Sequence, residues 1–217
     1  MIVNKKPKNE IPFQYKSLYI VSPIILEKIG QLKNSKDGLL ATLPIPPPKS
    51  LETFEGKRMI VLDGIESSND LGAILRSVSA FDWDAVWITH NCADPFDPIS
   101  IRASQGALFD LPYRVGSLEN ALKHVRRHKD MTRLKFDPSS SGKIKVNLFA
   151  ADLSESQLPL KKNGEICLLI QGAFDKDKNP GTTDFASIGV GFVANPSMLP
   201  FPVSVSSILC SIRDRYF

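Results

Sequence analysis

Residues 59–89 constrain this chain more than any other stretch. Met59-Ile60-Val61-Leu62 is a continuous apolar run of the kind shown by a strand buried on both faces, and it gives way to Asp63-Gly64 and a polar loop. Over residues 70–81, Leu71, Ile74, Leu75, Val78 and Phe81 recur at helical spacing. Residues 85–89 form a second apolar run, so strand, helix and strand complete a βαβ unit. Such a unit commits the chain to an α/β domain built around a mostly parallel sheet.

The alternation continues on both sides. Residues 97–109 and 117–129 read as helices, the second opened by Ser117 as N-cap with Leu118, Ala121, Leu122 and Val125 on its buried stripe. Strands are expected at 146–150, 166–170 and 189–193. A closing helix over 203–216 carries Val205, Ile208, Leu209 and Ile212, and Pro202 before it suits a first-turn position. Upstream, residues 17–21 read as a strand and 22–33 as a helix with Ile24, Ile25, Ile29 and Leu32 along one side. Between the two regions lies Leu43-Pro-Ile-Pro-Pro-Pro-Lys49, whose four prolines can enter neither a helix interior nor a central strand. That stiff connector separates an N-terminal extension and linker, residues 1–49, from a main domain, residues 50–217.

Composition narrows the class further. A chain of 217 residues with 42% hydrophobic and 23% charged residues is neither disordered nor a disulfide scaffold. No run approaches the roughly 18 apolar residues of a membrane span, so no membrane partner is expected. Three cysteines, odd in number and far apart, fit an intracellular, reducing compartment, the cytoplasm or the mitochondrial matrix. The net charge of +4 is unevenly spread: residues 123–145 hold eight bases against Asp130 and Asp137. Charge of that density makes a polyanion the first partner to consider.

Two motifs fail on inspection. Gly189-Val-Gly-Phe-Val-Ala194 matches a dinucleotide fingerprint, but Pro196, Pro200 and Pro202 follow it and forbid the helix on which a phosphate would sit. His124 and His128 stand four apart, yet the bases around them would repel a divalent cation. On the helix of residues 70–81, Gly72, Ala73, Arg76, Ser79 and Ala80 fall outside the apolar stripe. A lone arginine on a small-residue face can aim a rigid donor fork at a carboxylate or phosphate, or can simply be a surface arginine; both readings stay open on spacing alone.

Asp63-Gly-Ile-Glu-Ser-Ser-Asn-Asp-Leu-Gly-Ala-Ile-Leu-Arg76 resembles the first motif of the SpoU (TrmH-like) family of RNA ribose 2'-O-methyltransferases, in the SPOUT superfamily. Residues 101–112 are similar to the family's next segment, and residues 38–44 to the stretch joining its small RNA-binding domain to its catalytic one. The resemblance implies an α/β fold with a C-terminal trefoil knot, a dimer, and S-adenosylmethionine held in the knot. It makes residues 1–49 a remnant of the RNA-binding domain. It also implies that Arg76 and Asp70 stand at the catalytic positions, with Asp70 where the family has asparagine.

Carried on without a gap, the family's Gly-x-Glu falls on Gly172 and Phe174, its Ile-Pro-Met on Phe192-Val-Ala194, and its Ser-Leu-Asn on Pro200-Phe-Pro202. Gly172, Phe192 and Ala194 are therefore expected as vestigial cofactor positions, because a phenyl ring accepts no hydrogen bond and a prolyl nitrogen donates none. Two readings follow. In one, the chain needs no cofactor, binds RNA, ribosomal RNA first, through Arg126, Arg127, Lys129 and Arg133, and pairs as a homo- or heterodimer with a SpoU-like chain. In the other, it is an active methyltransferase using S-adenosylmethionine. The dimer is expected across the small face of Gly72, Ala73 and Ala80, for which the sequence offers no cover.

Overall fold

The computed structural model describes residues 1–3, 14–30, 38–50, 54, 56–128, 131–136, 165–172, 186–188 and 200–216. The chain divides into two compact units, Met1–Pro46 and Pro47–Phe217. In the first, β1 (Ile2–Val3) pairs in parallel with β2 (Tyr19–Ile20) and antiparallel with β3 (Leu39–Leu40), and α1 spans Pro23–Gly30. The expected apolar side of α1 is reversed: Ile24, Ile25 and Ile29 are exposed, and Leu26 is the buried residue. A sheet of two-residue strands offers too little surface to cover a broad helix face.

The second unit holds a six-stranded sheet in the order β6-β5-β4-β8-β7-β9, parallel at every pairing. Its strands are β4 (Arg58–Asp63), β5 (Ala85–Thr89), β6 (Tyr113–Gly116), β7 (Thr132–Phe136), β8 (Ile166–Gln171) and β9 (Ala186–Ile188). The two-residue period of each strand feeds two cores. Ile60, Leu62, Val86 and Ile88 face α2 (Ser68–Ala80) and α5 (Phe201–Tyr216), where Val205, Ile208, Leu209 and Ile212 are buried as expected. Met59, Val61, Trp87, Cys167 and Leu169 face α4 (Leu118–Arg127) through Ala121, Leu122 and Val125.

Several expectations change. The helix expected over 97–109 ends after seven residues as α3 (Pro98–Ser104), because Gln105 and Gly106 turn left-handed at φ of 53° and 79° before a single 3-10 turn, Ala107–Phe109. β6 and β7 were not expected at all. The expected strands at 146–150 and 189–193 lie outside the described residues, as do Lys129, Phe192, Ala194 and the segments 173–185 and 189–199 that the knot would use. The small face of α2 is also partly covered within the chain. A Cβ on Gly72 would stand 2.7 Å from Ala103 Cβ and 3.0 Å from Ser104 N, and would strike Ser100 O, so α3 lies backbone-close on α2. Gly72 is thus fixed by an intrachain contact, and of the three small residues proposed for a dimer only Ala73 and Ala80 remain outward.

Candidate functional site

The connections out of β4 and β8 run in opposite directions: β4 leads through α2 to β5, β8 leads the other way to β9, and the two strands are neighbours. In an open parallel sheet, a ligand crevice forms outside the carboxyl ends of two such strands. Here those ends are Asp63 and Gln171, paired in register. The Asp63 carboxylate is buried and accepts hydrogen bonds from Thr89 Oγ1 at 2.7 Å, Gln171 Nε2 at 2.9 Å and Asn91 Nδ2 at 3.4 Å. One carboxylate therefore ties the ends of β4, β5 and β8 together, and among the described residues its hydrogen-bond donors are neutral.

Above this network the chain turns at Gly64, with φ of 66°, and Gly172 lies directly against it. The Gly172 N–H donates to Asp63 O at 2.9 Å, and a Cβ on Gly172 would come within 2.6 Å of Gly64 O and 3.1 Å of Ile65 Cα. The structure gives this glycine a reason of its own: two loops meet where no side chain fits. Past the turn, Ser67 caps α2 by accepting from the Asp70 N–H at 3.2 Å, and Asp70 sits in the first turn, where a carboxylate favours the helix dipole. Arg76 is exposed two turns on, on the same face as Asn69. α5 packs against α2, with Ser77 Oγ and Ser206 Oγ 2.7 Å apart.

The start of α5 is less polar. Val203 and Ser204 both donate their N–H groups to Pro200 O, at 3.0 and 3.2 Å. Pro200 and Pro202 have no N–H to offer. Of the described positions expected to hold S-adenosylmethionine, Gly172, Pro200, Phe201 and Pro202, none carries a polar side chain. The loops whose amides would complete such a site, 173–185 and 189–199, lie outside the described residues.

The described members of the basic block differ in exposure. Lys123 is engaged by Glu119 at 2.6 Å, Arg126 and Arg127 are exposed at the end of α4, and Arg133 is half-buried in β7. His124, on the same helix, is buried against Phe54 and Trp87. Burial, then the neighbouring His128, Arg127 and Arg114, hold its pKa below the ordinary value. A cavity of about 320 Å³ opens at the carboxyl ends of β5 and β6, lined in part by Thr89, Cys92, Phe96 and Tyr113. Sequence reasoning missed Asp63, Thr89, Gln171 and this cavity. The signal was present, since each of the three residues is a polar one closing an apolar run.

The family model described as the SpoU rRNA Methylase family matches residues 57–168. The chain belongs to the SpoU family. It is similar to an uncharacterized tRNA/rRNA methyltransferase of Synechocystis, 33% identical over 43% of this chain and 34% of that protein. It is also similar to the 23S rRNA (uridine(2479)-2'-O)-methyltransferase of Streptomyces viridochromogenes, 27% identical over 42% of this chain and 33% of that protein. These matches span about a third of each relative's length. An rRNA methyltransferase from Sinorhizobium meliloti has the same fold, with a TM-score of 0.67 and 14% identity over 92% of this chain and 72% of that one. So does the SpoU methyltransferase AviRb of S. viridochromogenes, solved with AdoMet, at a TM-score of 0.59 and 19% identity over 78% and 65%. The α/β fold with a mostly parallel sheet expected from the sequence is therefore shown.

Proposed function

We propose that this SpoU-family chain binds RNA without itself transferring a methyl group, acting on ribosomal RNA as an assembly factor or as part of a modification complex with a second SpoU-like chain. One observation carries the reading. At the start of α5, Pro200-Phe-Pro202 occupies the positions where the resemblance expects Ser-Leu-Asn, and the nearest helix amides are already bonded to Pro200 O. Loss of a single donor at a reacting centre costs roughly 3–4 kcal/mol, and several losses together would leave no useful rate. Arg126 and Arg127 at the exposed end of α4, with Lys129 and Arg133 beyond them, supply the polyanion contacts. The three cysteines suit a reducing compartment.

Calorimetric titration with S-adenosylmethionine tests the reading: no saturable heat at micromolar concentration is expected, while RNA is still bound with a steep salt dependence. A saturable heat, or transfer of a labelled methyl group to RNA, overturns it. The second reading, an active 2'-O-methyltransferase, is favoured by Arg76 standing exposed on α2. It predicts that Arg76→Ala abolishes methyl transfer with RNA affinity unchanged.

A further inference from the structure

The end of the proline-rich connector is bonded to the sheet at its edge strand, β6. The Lys49 N–H donates to Tyr113 O at 2.9 Å, and Arg114 Nη1 donates in turn to Lys49 O at 2.8 Å. Arg114 also lays its guanidinium over the Trp87 ring, 5.3 Å from the centroid. A little further along the chain Phe54 is buried, edge-on to the same Trp87 at 5.6 Å and also 5.6 Å from His124. The His124 ring is itself 5.9 Å from Trp87. Lys49 and Phe54 thus close over one aromatic stack, which a permanent cation meets from β6 and a titratable ring meets from α4.

We propose that the stretch carrying Lys49 and Phe54 is a pH-sensitive strap, closed while His124 is neutral and released when His124 gains a proton. Burial is what most disfavours the imidazolium, and the Phe54 ring is part of that burial. The charges facing His124 act in the same sense: His128 and Arg127 from its own helix, and Arg114 from β6. The Phe54 backbone favours the charge, Glu165 faces His128 at 3.6 Å, and Glu119 is engaged by Lys123. Once His124 is charged, two cations meet one buried ring and repel each other where water is excluded. Arg114 is half-buried on an edge strand and can turn to water, whereas His124 is held within α4. Its departure frees Lys49 O, and lifting Phe54 lets water reach the imidazolium. The strap is therefore closed at neutral pH and loosens as pH falls below about 6.5, the ordinary histidine value. Freeing residues 49–54 lengthens the tether to the first unit by at most about 20 Å.

Hydrogen exchange of the full chain, read by peptide mass spectrometry, tests the strap without RNA or S-adenosylmethionine. Pro46, Pro47 and Pro48 have no N–H, so the peptide of residues 46–49 reports the Lys49 amide alone. Corrected for intrinsic exchange, Lys49 protection should fall severalfold from about pH 7.5 to 5.5, and up to about tenfold if His124 regains its ordinary value on opening. At both values Lys49 should exchange at least about tenfold faster than the β8 amides, which marks a local opening. His124→Leu should hold Lys49 protection level across this range. Arg114→Ala should lower it at both pH values while the β8 amides stay protected. A wild type without pH dependence, the same fall in His124→Leu, or unchanged protection in Arg114→Ala overturns the strap. So does a Lys49 amide that exchanges no faster than β8, since that opening would be global unfolding.

Discussion

The carboxyl end of β4 and the start of α5 flank the same helix, α2, and differ in what they have kept. At β4, Asp63 gathers donors from two other strands in a buried network. At α5, Pro200-Phe-Pro202 makes a sound helix start with no polar side chain at all. Proline at a first helical turn costs nothing structurally, since its amide would lack an intrahelical partner anyway. The difference separates two demands on one family's residues: groups that hold strand ends together cannot be lost without unfolding the sheet, whereas groups that only meet a ligand can be. Substitutions on the two sides should therefore have very unequal effects on stability.

The largest effect is expected from Asp63→Ala. It removes a buried acceptor and leaves the Thr89 hydroxyl and the Gln171 amide facing each other across an apolar environment. Each buried group left without its partner costs about 1–3 kcal/mol, so a loss of about 3 kcal/mol or more is expected. The urea midpoint reads it; a loss below about 1 kcal/mol would mean that water replaces the carboxylate and that the network is not structural.

Gly172→Ala comes next. The added methyl meets Gly64 O and Ile65 Cα, both backbone atoms, which cannot swing aside as a side-chain tip could. Overpacking of this kind costs about 1–3 kcal/mol. If the position serves only a ligand, the melting temperature will not move, and the comparison loses its first half.

Much of the β4 side was legible in the sequence, and the reason is periodicity. Met59 to Leu62, the α2 stripe of Leu71, Ile74, Leu75 and Val78, and Ala85 to Thr89 are each strong apolar patterns, buried throughout. β7 was hidden because its Arg133 and Lys135 alternate with Leu134 inside a run of bases, so charge masked a two-residue period. α1 misled for the opposite reason: its isoleucines are real, but Ile24, Ile25 and Ile29 are exposed. Of the site, Arg76 and Gly172 were legible as motif positions. The Asp63 network was not, because its members lie 26 and 108 residues apart and only the parallel register joins them.

The far face of the sheet offers a smaller effect with a different signature. His124 titrates near 6.5 when unfolded and lower when folded, because burial, then His128, Arg127 and Arg114, disfavour its charge. A histidine that is neutral in the native state stabilises it fully above about pH 6.5, and that contribution is lost as pH falls through the lower folded value. Urea midpoints at about pH 7.5 and 5.5 should differ in that direction. His124→Leu should flatten the difference, and an unchanged slope would assign it to other groups.

The smallest effect is the one that decides the comparison. Pro200→Ser with Pro202→Asn restores polar side chains at the start of α5 without touching the buried residues Val205, Ile208 and Leu209. The carbonyl of residue 200 can still accept from the Val203 and Ser204 N–H groups, and serine and asparagine are both good helix-start residues. Each lost proline frees the unfolded chain by about 0.4–1 kcal/mol, offset in part by serine as the N-cap, so the net loss should stay below about 1 kcal/mol. If the double variant instead loses as much as Gly172→Ala, the prolines are holding α5 against the sheet, and their presence reflects a structural demand rather than a site released from chemistry. The same variant titrated with S-adenosylmethionine sharpens the point: heat that appears only in the variant would show that these positions alone had closed the site to it.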